Sequence, residues 1–178
     1  MVETIISSQQ IYNGHTLKLR IDTVEKDDGK TANREIIERS DCVAVVVLDS
    51  NDNAILVRQF RKAVNKTLLE IPAGGIDLGE QPIDTVRREL QEEIGLLPHK
   101  IDKLGGFYAA PGYSSEYLYL YLATYLENSQ LTAEDTDSIE IVKVPLSQIP
   151  HLIASEEICD AKSIAGLLTV ISLNLKGQ

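Results

Sequence analysis

The sequence predicts an α/β fold: an α/β/α sandwich around a mixed β-sheet, with an antiparallel β subdomain at the N-terminus. Three observations carry this. Strand-like segments lie on both sides of one helical stretch near 83–94, the run Val43–Leu48 is continuously apolar, and an apolar helical pattern occupies the last twenty residues. A continuous apolar run suits a strand buried on both faces, and helices covering such a strand give a layered architecture.

Residues 3–38 read as short strands. Leu17, Leu19 and Ile21 alternate with polar neighbours, and Asp27-Asp28-Gly29-Lys30 is a hairpin-turn signal. The boundary falls near 40, giving an N-terminal β-strand segment over 1–40 and a main domain over 41–178. After Val43–Leu48 the polar cluster Ser50–Asn53 turns the chain into a strand over Ala54–Phe60, and Leu68–Ile71 forms a short strand ending at Pro72. Pro82 suits the first position of a helix, and Gly95 and Pro98 mark that helix's end. Further strands are expected over Leu118–Leu126 and Ser138–Val144, and a short helix over Ser147–Ala154. Asp160 is placed to cap a helix running to about Leu175, with Ile164, Leu167, Leu168, Ile171 and Leu175 at helical spacing.

Composition narrows the function classes. With 178 residues and 43% hydrophobic content the chain is long enough for a substantial core. Lys and Arg total 17 against 27 Asp and Glu, a net charge of -10, which argues against a nucleic-acid partner. An acidic protein that handles a phosphorylated substrate needs a counter-charge, and a divalent cation supplies it. Cys42 and Cys159 share no metal-binding spacing and read as small buried side chains. The start MVETIISSQQ lacks the basic and apolar regions of a signal peptide, and no apolar run reaches the ~20 residues of a membrane span. The expectation is a soluble cytoplasmic protein with no membrane partner.

The chemistry concentrates between Gly74 and Leu96. On a helix over Ile83–Ile94, Glu89, Glu92 and Glu93 fall within one arc of about 100°, and Ile83, Val86, Leu90 and Ile94 occupy the adjoining arc that packs on the core. Like charges at these spacings repel by roughly 0.2–0.5 kcal/mol per pair, and the C-terminal end of a helix disfavours anions further. A solvated acidic face is the plain reading, but a structural helix gains nothing from this pattern. A hard cation with oxygen ligands reverses the sign, and Mg²⁺ fits, with Mn²⁺ as a substitute. Arg88, flanked by Asp84 and Glu92 at four residues on either side, is positioned to hold the acidic face.

These residues resemble the Nudix box, G-x5-E-x7-R-E-U-x-E-E-x-G-U. Gly74, Glu80, Arg88, Glu89, Leu90, Glu92, Glu93, Gly95 and Leu96 stand at its nine fixed positions. The resemblance implies a Nudix-type fold and a metal-dependent hydrolase of a nucleoside diphosphate joined to another group. It implies Glu89 and Glu93 as the main metal ligands, Glu92 as a further ligand or orienting group, and the backbone carbonyl of Ala73 as a completing ligand. It implies Arg88 as the orienting partner of the acidic face, and Glu80 as a brace for the loop or a contact of metal-bound water. Gln81 departs from the common pattern as a weak N-cap.

Outside the box, Leu56–Arg61 followed by Leu69–Gly74 is similar to a stretch of the ADP-ribose pyrophosphatase subfamily. Pro111, fifteen residues after Leu96, and Ala110-Pro111-Gly112-Tyr113 with Glu116 resemble a loop of the same subfamily, and Thr31–Glu35 resembles its N-terminal segment. The resemblance implies a nucleotide-sugar substrate, ADP-ribose cleaved to AMP and ribose 5-phosphate, and a homodimer in which the N-terminal segment pairs across the interface and Arg34 reaches the substrate. Arg58 and Arg61 are further phosphate-binding candidates, since guanidinium donors match phosphate oxygens; a surface ion pair is the alternative for each. Relatives often take a general base from the loop before the last strand, here 131–138. Asp137 is the candidate by alignment, with Glu134, Asp135, Glu140 on the following strand, and the box's own Glu92 left open. Tyr117, Tyr119, Tyr121 and Tyr125 share strand parity and suit a packed sheet face or dimer contact, while Tyr108 and Tyr113 are candidates for stacking on a base. The alternatives are a Nudix diphosphatase for GDP-mannose, NADH or a dinucleoside polyphosphate, and a non-catalytic Nudix nucleotide-binding protein, against which the complete set of glutamates argues.

Overall fold

A computed structural model describes residues 2–132 and 139–177. Its contacts divide the chain into two units, one holding the residues up to Asp41 together with Tyr108–Tyr117, the other Cys42–Phe107 and the residues from Leu118 onward.

The first unit is an antiparallel sheet of β1 (Thr4–Asn13), β2 (Lys18–Glu25) and β3 (Thr31–Glu38) in that spatial order. The expected turn joins β2 to β3: Gly29 has φ 77°, a left-handed conformation that glycine adopts without penalty, and its N–H donates to the Lys26 carbonyl at 2.8 Å. Asp22 is buried on β2, and Arg20 Nε reaches both of its oxygens at 3.1 Å. Tyr108–Tyr117 joins this unit through a parallel bridge between Ile37 and Ser114.

The second unit is layered about β4 (Cys42–Val47). β4 pairs in parallel with β9 (Tyr117–Asn128) and antiparallel with β7 (Ala73–Gly75), in the spatial order β7-β4-β9-β8, where β8 is Leu96–Tyr108. A second sheet runs β10-β5-β6, from β5 (Asn53–Arg61), β6 (Lys66–Glu70) and β10 (Glu140–Pro145). Successive residues of a strand point to opposite faces, so β4 serves two cores. Val43, Val45 and Val47 pack with Val86, Leu90 and Ile94 of helix α1 (Pro82–Glu93). Ala44, Val46 and Leu48 pack with Leu167 and Val170 of helix α3 (Ala161–Ser172). Helices on both faces of a mixed sheet give the expected sandwich. Among the described residues no helix is long and apolar enough to cross a membrane.

Some details differ from expectation. β8 was not foreseen, because Pro98 and the pair Gly105-Gly106 interrupt its pattern. It lies at the end of its sheet, and an edge strand tolerates a proline. Ile83 is 39% exposed rather than core, while Thr85 is buried in its stead, since the helix presents its 85/86/90 face to β4. The segment after β10 is a single 3-10 turn, Leu146–Gln148, leading into α2 (Ile149–Ala154). Cys42 packs against the core, but Cys159 is exposed in the turn before α3. Tyr119 and Tyr121 pack on the α1 side as their parity requires. Tyr125 has φ 54°, which breaks the alternation, and it is 45% exposed.

Candidate active site

The site is assembled from the loop before α1 and from α1 itself. Pro82 occupies the first turn, and the preceding Gln81 makes no capping bond with its side chain. Glu80 ties the loop to the helix instead: its Oε2 accepts from the Asp77 N–H at 3.2 Å and from the Thr85 hydroxyl at 2.8 Å. Arg88 then ties loop to helix. Its Nε and Nη2 donate to the two oxygens of Glu80 at 3.0 and 2.9 Å, and Nη2 also donates to the Gly75 carbonyl at 3.0 Å. Its Nη1 donates to Glu89 at 2.7 Å and Glu92 at 3.1 Å. A planar guanidinium with five donors suits such a junction. Hydrogen bonds from Arg88 hold Glu80 down at a pKa of about 2.

At the other end of α1, Gly95 turns the chain with φ 67°. The Ser129 N–H donates to the Gly95 carbonyl at 2.9 Å, and the Gln130 amide donates to the Glu92 carbonyl at 3.1 Å. These partners satisfy carbonyls that a helix end leaves open.

Two glutamates point at the β7 backbone. The carboxyl group of Glu89 lies over Gly74, where a Cβ would overlap its carbon and both oxygens. Glu93 accepts the Ala73 N–H at 3.2 Å. Pairing of Ala73 and Gly74 with Ala44 and Val43 of β4 fixes this backbone. Burial, then the charge of Glu89, pushes Glu93 up to about 8, with the Ala73 N–H, Arg61 and Lys162 opposing. Burial also raises Glu89, against the pull of Arg88.

The donor set fits a hard divalent cation. Two carboxylates are crowded together in a poorly solvated place, so each charge is penalised, and a cation between them removes the penalty. Carboxylate oxygens are the ligands Mg²⁺ takes. Among the described residues no three acidic, His or Cys side chains already stand in ligand geometry. In the arrangement seen, Arg88 occupies an oxygen of Glu89 and another of Glu92.

The other expected site residues are distributed as follows. Arg58, on β5, pairs with Glu140 at 3.4 Å and Glu157 at 3.6 Å. Arg61 donates from Nε and Nη2 to the two oxygens of buried Glu70 at 3.0 and 2.7 Å. In the first unit, Arg34 pairs with Glu3, and both line a cavity of about 280 Å³ together with Pro111 and Tyr113. Tyr108 meets Tyr117 edge-on, with ring centroids 5.0 Å apart. Glu134, Asp135 and Asp137 lie outside the described residues.

Sequence reasoning passed over three residues. Thr85 and Gln130 support the two ends of α1, and Lys162 bonds to Glu70. Lys162 left a readable sign: it is a cation in the first turn of α3, where the helix dipole disfavours positive charge.

The chain is similar to known proteins over most of its length. The profile of the NUDIX domain matches residues 38–166. The ADP-ribose pyrophosphatase of Bacillus subtilis (strain 168) is 37% identical over 164 residues, covering 90% of this chain and 88% of the relative. The methanol dehydrogenase activator of Bacillus methanolicus is 32% identical, covering 91% and 89%. The crystal structure of an ADP compounds hydrolase superposes with a TM-score of 0.89 at 22% identity, covering 97% of this chain and 94% of that one. The chain therefore belongs to the NUDIX family, and it is a Nudix hydrolase.

Proposed function

We propose that this protein hydrolyses the diphosphate bond of ADP-ribose, with Mg²⁺ as cofactor and Mn²⁺ as its substitute, to give AMP and ribose 5-phosphate. The observation that carries this reading is the pair of crowded carboxylates, Glu89 seated on Gly74 and Glu93 on the Ala73 N–H. The 37% identity to a relative named as an ADP-ribose pyrophosphatase supports the choice of nucleotide.

Glu89 and Glu93 would hold the cation, with Glu92 and the Ala73 carbonyl as further oxygen donors. When bound, the metal neutralises the diphosphate and lowers the pKa of a coordinated water. Arg88 keeps the glutamates on one face by spanning Glu80, Glu89 and Glu92. A carboxylate takes the proton of the attacking water. Asp137 and Glu92 are the first choices, with Glu134, Asp135 and Glu140 behind them. Water attacks one phosphorus, the bond from that phosphorus to the bridging oxygen breaks, and the other phosphate leaves with that oxygen. Arg58 faces phosphate oxygens, Arg61 stays on the buried carboxylate of Glu70, and Arg34 and Pro111 contact the remainder of the substrate. The working assembly is a homodimer in the cytoplasm, paired through the N-terminal strands. Wholly exposed β1, with Ile5, Ile6 and Tyr12 each more than half exposed, supports that pairing.

The test is turnover of ADP-ribose with added Mg²⁺, with chelator, and with Glu93→Gln. Loss of turnover in the last two supports the reading, and equal turnover in all three refutes it. The second relative's name supports a different reading, in which the protein acts on a partner dehydrogenase. Stimulation of a methanol dehydrogenase by protein that turns over none of the nucleotides would favour it.

A further inference from the structure

We propose that Lys162 is a positioning residue for the metal site, acting through Glu70 on the short segment that holds Glu93. The inference rests on the metal-site reading above.

Glu70 ends β6 and is 2% exposed. A carboxylate removed from water to that degree needs cations and hydrogen bonds around it. Arg61 supplies two bonds from β5, and the Lys162 ammonium supplies a third from α3. Lys162 also bonds to Asp160 at 2.9 Å, the residue that caps α3 by accepting the Ser163 N–H at 3.2 Å. Two cations and two carboxylates thus close a balanced network.

The same first turn of α3 grips the residue that follows the strand. The Ile71 N–H donates to the Ser163 hydroxyl at 2.8 Å, and Ser163 is fully buried. On the opposite flank, the Val45 N–H of β4 donates to the Pro72 carbonyl at 2.9 Å. The segment Glu70–Ala73 is therefore held from two sides, by α3 at Glu70 and Ile71 and by β4 at Pro72. It ends at the N–H that Glu93 accepts. With three peptide links between them, a shift at Glu70 is passed on to Ala73. The hydrogen bonds of Lys162 go to Glu70 and Asp160, and through Glu70 it fixes the backbone on which the box glutamate is seated.

The experiment is Mn²⁺ titration followed by electron paramagnetic resonance on the full chain, comparing wild type, Lys162→Met, Lys162→Arg and the double variant Glu70→Gln/Lys162→Met. Thermal unfolding is recorded on the same samples. Loss of a residue that orients metal ligands weakens metal binding by roughly 10–100-fold. Lys162→Met is expected to weaken Mn²⁺ binding by about 10-fold, with Lys162→Arg restoring most of it. The double variant removes one cation and one carboxylate, so the network keeps its charge balance, and it decides the matter if Lys162→Met does not fold: it is expected to show the same weakening. Wild-type Mn²⁺ affinity in folded Lys162→Met or in the double variant, with only the unfolding temperature lowered, overturns the proposal and leaves the network structural. Absence of Mn²⁺ binding in wild type overturns the metal-site reading, and this proposal with it.

Discussion

The carboxyl group of Glu89 rests directly on the α-carbon of Gly74, occupying the space that the Cβ of any other residue would fill. Gly74 is paired to Val43 in the sheet, so the backbone has no freedom to retreat. The glycine is required here for close approach rather than for its conformational range.

Gly74→Ala is therefore expected to displace Glu89 and lower kcat/KM for the nucleotide by about 100-fold, the usual consequence of moving a positioned group by an ångström. Far-ultraviolet circular dichroism should stay native, because the methyl group meets a side chain and not the backbone. Wild-type kinetics in Gly74→Ala would show that the position of Glu89 is immaterial.

Burial raises Glu93 from 4.5 to about 8. For an acid, a raised folded-state pKa means that the native state binds more protons than the unfolded one between these values, so stability falls as pH rises from 4.5 toward 8. In the presence of chelator, Glu93→Gln should remove part of that decline and unfold at a higher temperature than wild type at pH 8. It should also cost at least about 100-fold in turnover, through loss of the metal. Parallel pH–stability curves for the two proteins would contradict the assignment.

Glu80 has the opposite sign. Arg88 depresses it from 4.5 to about 2, so its contribution to stability is complete above 4.5 and is lost as pH falls through about 2. Denaturant unfolding at several acid pH values should show wild type losing its advantage over Glu80→Gln across that window. A constant difference at all pH values would remove Arg88–Glu80 as an acid-sensitive clasp.

Arg34 offers a kinetic test of the first unit's cavity. If it contacts substrate, Arg34→Ala raises KM with little change in kcat, the pattern of a lost ground-state contact. An unchanged KM would leave Arg34 as the partner of Glu3 alone.

The sandwich and the acidic helix were legible because both follow from periodicity. Val43–Leu48 alternates between two cores, and three glutamates crowd one helix face. The pairing of Glu70 with Lys162 was not legible, since 92 residues separate them and only the fold brings them together. Arg61 illustrates the same limit: its sequence context resembles a phosphate-binding stretch, but a buried carboxylate invisible to local pattern holds two of its nitrogens. β8 escaped because tolerance of Pro98 depends on the strand's place at the end of a sheet, which local sequence does not encode. Tyr125 fell out of register with its neighbours because its backbone turns to positive φ.

The central claim is tested most directly by measuring kcat/KM for ADP-ribose beside GDP-mannose, NADH and diadenosine polyphosphates at one fixed Mg²⁺ concentration, with products separated by chromatography. The account predicts a clear preference for ADP-ribose, with AMP and ribose 5-phosphate as products and no turnover in chelator. Preference for another of these nucleotides, or turnover that persists without a divalent cation, would contradict it.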